Sequence, residues 1–139
     1  MAVNATYLAD KSALARTSLP SVADRLHPLV EGGLVATCAV VDLEVLYSAR
    51  SAEDYDEVLA ERRALESAPI TPEVTRLAIE IQQEMARRGH HRVPIPDLLI
   101  SAAAKVADLT VLHYDSDFGR IAAAGGADHE WIVPQGSVS

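Results

Sequence analysis

The chain is short of the residues that mark specialised scaffolds. It has one cysteine, one tryptophan and one phenylalanine, and aromatic residues occupy only 4% of its 139 positions. One cysteine cannot close an internal disulfide, so a reducing compartment suits the chain and a cytoplasmic location is expected. Cys38 lies inside the apolar run LVATCAVV, where a small buried hydrophobe is its default role. No window approaches the ~20 apolar residues that span a bilayer. The stretch MAVNATYLADKS lacks the basic and apolar regions of a signal peptide, so no membrane association is expected. Gly-rich phosphate loop, nucleophile elbow and CxxC pair are all missing, which removes the commonest nucleotide, acyl-transfer and dithiol chemistries. Positive charge is scarce too: 12 Lys and Arg stand against 20 Asp and Glu, a net charge of −8. Taken globally, that balance repels phosphates and argues against nucleic-acid binding. The objection disappears if the acids gather around divalent cations, so their positions matter more than their number.

The chain does have enough apolar material for a core, 49% of residues against 23% charged. A chain of this size buries about two-thirds of its unfolded surface without help from disulfides. It reads as a single domain over residues 1–134, followed by a flexible tail over 135–139. ATYLA (5–9) is a short β-like run. SVADRLHPLVEGG reads as a helix capped by Ser21 and closed by Gly32 and Gly33. LVATCAVV (34–41) suits a strand buried on both faces, and DLEVLYSAR a short helix after it. Ser51 and Thr71-Pro72 open two further helices, the second with Val74, Leu77, Ile81 and Met85 on one stripe and its stop at Gly89. A Pro-punctuated link leads into the alanine-rich helix DLLISAAAKVAD; strand LTVLHY, helix DSDFGRIAAAGG and the β-like HEWIVP follow. Strands alternating with helices predict a three-layer α/β fold with a mostly parallel sheet. The helical hairpin between 51 and 89 is an insertion into it.

The acids fall in a regular place. Asp10 ends the first strand, Glu44 sits in the first turn of the helix after the second, Asp97 opens the alanine-rich helix, and Asp115 and Asp117 lie just beyond the strand LTVLHY. An open parallel sheet binds ligands outside the carboxyl ends of its strands. Each acid also has a purely structural explanation, as a helix cap, a first-turn dipole partner or a turn residue. Together they repel one another unless a cation neutralises them. Carboxylates without a His/Cys set suit Mg2+ or Mn2+ rather than zinc. Such an ion supports phosphodiester hydrolysis.

Four segments carry a family resemblance: YLADKSAL, VVDLEVLYSAR, IPDLLISAAA and VLHYDSDFGRIA. In that order and spacing they resemble the PIN-domain ribonucleases, and more narrowly the VapC toxins of type II toxin–antitoxin (VapBC) systems. The resemblance implies a catalytic, metal-binding quartet at Asp10, Glu44, Asp97 and Asp115. It also implies Asp117 as a fifth acid, and Ser12 as a hydroxyl that supports the site. It further implies a Mg2+- or Mn2+-dependent endoribonuclease acting on tRNA, rRNA or mRNA and thereby inhibiting translation. A cognate VapB-type antitoxin, a homodimer and a toxin–antitoxin hetero-oligomer are implied as partners. His113 and Tyr114 depart from the small or hydroxyl residues that often precede the last acids.

The basic residues Arg87, Arg88, His90, His91 and Arg92, together with Arg50, are candidates for holding RNA phosphates. A solvated helix end explains them as well. Arg62 and Arg63 are expected to face solvent. His27, His113 and His129 are scattered, which disfavours a histidine metal site. Tyr47, Tyr55 and Leu59 are read either as a groove for an antitoxin helix or as core. Two rival readings stand beside the enzyme. One is a catalytically silent PIN-like module that binds RNA or protein. The other is a receiver- or phosphatase-like phosphoryl-transfer domain, for which Lys11 and Lys105 are badly placed.

Overall fold

The computed structural model of the protein describes residues 3–139. Met1 and Ala2, with which the domain assignment and the N-terminal reading begin, lie outside them. Successive side chains of a strand point to opposite faces, and the short central strand β1 (Tyr7–Ala9) shows the consequence. Leu8 shares a buried cluster with Ile81, Met85, Leu98 and Ile100, whereas Ala9 belongs to a second cluster with Val22 and Leu26. A sheet covered on both faces leaves no polar side to its inner strands, which is why they read as unbroken apolar runs.

The sheet has five parallel strands in the order β3-β2-β1-β4-β5, with β2 Val35–Thr37, β3 Glu66–Ser67, β4 Thr110–His113 and β5 His129–Trp131. β1 is central: Leu8 lies opposite Ala36 on one side and Val111 on the other. The helices are α1 Lys11–Leu14, α2 Pro20–Glu31, α3 Ala39–Leu46, α4 Ala52–Arg63, α5 Pro72–Arg87, α6 Ile95–Val106 and α7 Asp117–Ala123. The three-layer parallel α/β architecture is the one expected. Among the described residues no helix is long and apolar enough to cross a membrane.

Several local expectations hold. Ser51 accepts the Asp54 N–H at 3.0 Å, and Thr71 accepts that of Val74 at 3.3 Å with Pro72 in the first turn. α5 buries Val74, Ala78, Ile81 and Met85 and is followed by Gly89 at φ 77°, a left-handed turn that glycine adopts freely.

Others need correction. The first long helix begins at Pro20 after Leu19, so Ser21 lies inside it and caps nothing. The apolar run 34–41 is strand only over Val35–Thr37; from Ala39 it is helix. The helical part of that run, Ala39–Val41, buries only Val41, but its exposed and half-buried residues are apolar too, so periodicity does not separate it from the strand. Glu44 is therefore the sixth residue of α3, not in its first turn. The expected helical pair is present as α4 and α5, but the edge strand β3 lies between them. Their chief partners are α3 for α4 and α6 for α5. Arg62 does not face solvent: it is buried, with Nε 2.9 Å from Asp42 Oδ1 and Nη2 2.7 Å from Thr37 Oγ1. Residues 136–139 are fastened to the domain. Gly136 N–H donates to the Tyr114 hydroxyl at 2.8 Å, which donates to Val138 O at 2.7 Å, and Arg16 Nε donates to Ser139 O at 3.1 Å.

Candidate metal centre

Parallel pairing carries the chain out of β1 and β4 at the same edge, and the acids start there. Asp10 follows β1 directly and is the N-cap of α1. Its Oδ2 accepts the Ser12 N–H at 2.9 Å and the Ser12 hydroxyl at 2.7 Å. The Ser12 hydroxyl accepts in turn the Tyr114 N–H at 2.8 Å, so one serine fastens the end of β1 to the end of β4. Asp115, after β4, accepts the Asp117 N–H on Oδ1 at 2.9 Å, as a helix cap would. Asp117 begins α7 and forms an ion pair with Arg120. Asp97 comes from the first turn of α6, and Glu44 from α3.

Asp97, Asp115 and Asp117 each bring a carboxylate oxygen within 4.8 Å of the others. Asp10 and Glu44 stand outside that trio but within electrostatic reach. Burial is the larger cause that pushes the Asp97 carboxyl up to about 8, and the charges of Asp10, Asp115, Asp117 and Glu44 add to it. Burial likewise raises Asp10, against the lowering hydrogen bonds from Ser12. It raises Glu44 too, assisted by Asp10 and opposed by Lys11. Three buried carboxylate oxygens have no hydrogen-bond partner among the described residues: Asp10 Oδ1, Glu44 Oε1 and Asp97 Oδ2. Leaving a buried acceptor unsatisfied costs about 1–3 kcal/mol, and more when it is charged. Three such oxygens, on three separate segments whose charges act on one another, fit a hard divalent cation.

The remaining candidates divide. His90, His91 and Arg92 line a cavity of about 380 Å³ together with Asp117 and Arg120, beside the acids. Arg87 and Arg88 turn instead to Glu84 on their own helix, at 3.6 and 2.9 Å. Arg50 is exposed in a different cavity, with Leu46, Tyr55 and Asp56. Lys105 donates to Gly125 O at 2.8 Å, at the end of α7, so it is no phosphoryl-transfer lysine for these acids. Tyr47 is 89% exposed and lines an apolar cavity with Val40, Leu43, Pro96 and Glu44. Tyr55 is exposed and Leu59 half-buried.

His113 and His129 are not scattered. Their rings meet, with His113 Nε2 2.8 Å from His129 Nδ1, while His113 Nδ1 accepts the Asp115 N–H at 3.0 Å. Burial, with the neighbouring His129, pushes His113 down to about 4. Both of its ring nitrogens are engaged, so it is no metal ligand. Only an expectation that β4 and β5 are neighbours would have joined these two histidines.

The PIN domain family model matches residues 7–124. Ribonuclease VapC21 of Mycobacterium tuberculosis (strain ATCC 25618 / H37Rv) is 47% identical over 133 residues, covering 94% of this chain and 96% of the relative. The fold is similar to that of VapBC2 from Rickettsia felis bound to a promoter DNA fragment. There the TM-score is 0.74 at 19% identity, over 91% of this chain and 98% of that one. VapBC-5 from Mycobacterium tuberculosis, a member of the VapBC family of toxin–antitoxin systems, gives a TM-score of 0.59 at 26% identity, over 94% and 99%. Sheet order, acid placement and these similarities agree: the chain belongs to the PIN-domain family, among the VapC proteins.

Proposed function

We propose that the protein is the toxin of a type II toxin–antitoxin pair and a Mg2+- or Mn2+-dependent endoribonuclease that inhibits translation by cutting tRNA, rRNA or mRNA. The observation that carries this reading is the set of unpartnered buried oxygens on Asp10, Glu44 and Asp97. A silent binding module has no use for them, and they destabilise it. Asp10, Asp97 and Asp115 hold the ion, with Asp117 as the auxiliary acid. Glu44 is a further ligand or orients the attacking water. When bound, a divalent ion supplies a Lewis acid for a phosphodiester oxygen and for the water that attacks it.

The chain's own residues do the rest. Ser12 occupies one oxygen of Asp10 and leaves the other free for the ion. His91, Arg92 and Arg120, around the cavity next to Asp117, take backbone phosphates and orient the RNA without reading its bases. Local positive charge there overcomes the repulsion expected from the chain's net −8.

A VapB-type antitoxin is the partner, and VapBC-5 is the relative whose description supports it. The exposed Leu43 and Tyr47 beside Glu44 offer such a partner apolar surface at the mouth of the acidic centre. A homodimer and a toxin–antitoxin hetero-oligomer in the cytoplasm complete the reading. Purified protein with Mn2+ is expected to fragment total RNA, EDTA to stop it, and Asp97→Ala to be inactive. RNA left intact by wild type and variant alike would sink the enzyme reading.

A further inference from the structure

We propose that His113 is a positioning residue for the acidic centre: its ring fixes the backbone of Asp115, and His129 fixes the ring. The inference rests on the reading of Asp115 as a ligand given above.

His113 is the last residue of β4 and is fully buried. A buried polar ring is costly unless its nitrogens are bonded, and here both are. Nδ1 accepts the Asp115 N–H at 3.0 Å, so it carries no proton. In the neutral ring the proton is then on Nε2, which donates to His129 Nδ1 at 2.8 Å. His129 must therefore carry its own proton on Nε2. The two rings have one compatible arrangement of tautomers, and it runs towards Asp115.

The surroundings keep the ring from turning. The centroids of Phe118, His129 and Trp131 lie 5.1, 5.0 and 5.0 Å from that of His113. Beyond His113 the N–H groups of Tyr114, Asp115 and Asp117 are taken by side chains: the Ser12 hydroxyl, His113 Nδ1 and Asp115 Oδ1. The turn that presents two acids is thus set by three side-chain acceptors. His113 is the one whose own orientation is held from outside the acidic centre.

A packing role and a positioning role make different demands on a replacement. Asparagine places an amide atom where Nδ1 lies and can still accept the Asp115 N–H. Glutamine reaches the Nε2 position and can keep only the contact with His129. Leucine keeps neither. In calorimetric titrations of the full chain with Mn2+, His113→Asn is expected to bind within about threefold of wild type, and His113→Gln and His113→Leu roughly tenfold more weakly or worse.

Equal affinities for Asn and Gln variants, or wild-type affinity in the Leu variant, would overturn the proposal. Should the variants fail to fold, 15N NMR of the wild-type rings decides: an Nε2-protonated His113 supports the proposal, and an Nδ1-protonated one overturns it. A wild type that takes up no Mn2+ defeats the reading of the acidic centre, while the tautomer measurement still judges His113.

Discussion

Asp115 and Asp117 stand two residues apart and are differently committed. Asp115 is held by the His113 ring through its backbone, and one of its oxygens accepts the Asp117 N–H. Asp117 already has a cation in Arg120. An ion arriving at Asp117 must compete with that guanidinium, whereas no cationic side chain pairs with Asp97 or Asp115 among the described residues. Asp115→Asn is therefore expected to slow RNA cleavage roughly a hundredfold or more, and Asp117→Asn only about tenfold. Initial rates on one RNA substrate with Mn2+ measure both, and equal losses would reverse the ranking. At this scale the sequence was informative where chemistry follows chain order. Asp10, Asp97 and Asp115 could be placed because each comes directly after an apolar run or a proline, whereas Glu44 lies further along its helix than its position in the run suggests. Arg62 and the His113–His129 pair could not, because their partners lie 20, 25 and 16 residues away.

Arg62 belongs to the scale of elements. Its guanidinium joins α4 to Asp42 on α3 and to Thr37 at the end of β2, and Thr37 donates to the same Asp42 oxygen at 2.8 Å. The group fixes α3, and α3 carries Glu44. Removing one partner of a buried pair strands the other, at roughly 3 kcal/mol. Arg62→Ala is expected to lose about that much stability in urea denaturation. Arg62→Lys should recover only part, since an ammonium does not reproduce the guanidinium fork. A loss under about 0.5 kcal/mol would mean an ordinary surface arginine.

The same elements show where reading by pattern fails. β3 is two residues, Glu66–Ser67, with no apolar signal of its own, and only its pairing with Ala36 and Thr37 makes it a strand. The boundary between β2 and α3 falls inside one apolar run, because the exposed Ala39 and half-buried Val40 that start the helix are as apolar as the buried strand before them. The alternation of strands and helices survived both errors, since it depends on which segments are apolar rather than on where each one ends.

For the molecule as a whole, the acidic centre sets how stability varies with pH. Asp97 keeps its proton to about pH 8 in the fold but loses it near pH 4 in the unfolded chain. Between those values the native state holds more protons, so stability falls as pH rises. Asp10 and Glu44, also raised, act in the same direction. His113 opposes them, but only between about 4, its value in the fold, and about 6.5, its ordinary value. Above pH 6.5 His113 no longer contributes, and Asp97 sets the trend. Metal-free protein in EDTA is expected to lose on the order of 1–2 kcal/mol between pH 6.5 and 8, read as a lower melting temperature. Asp97→Asn should flatten the decline and melt higher than wild type at pH 8. A wild-type melting temperature that rose over this interval would contradict the arrangement.

The crowding around Asp97 also makes ion uptake an acid-releasing event. At neutral pH the Asp97 carboxyl holds a proton that a ligand carboxylate cannot keep, so binding of the proposed ion would release it. Occupancy and acidity are then one equilibrium. On the proposed reading, Mn2+ affinity measured by calorimetry is expected to weaken as pH falls below 8 and to recover when neutrality is restored.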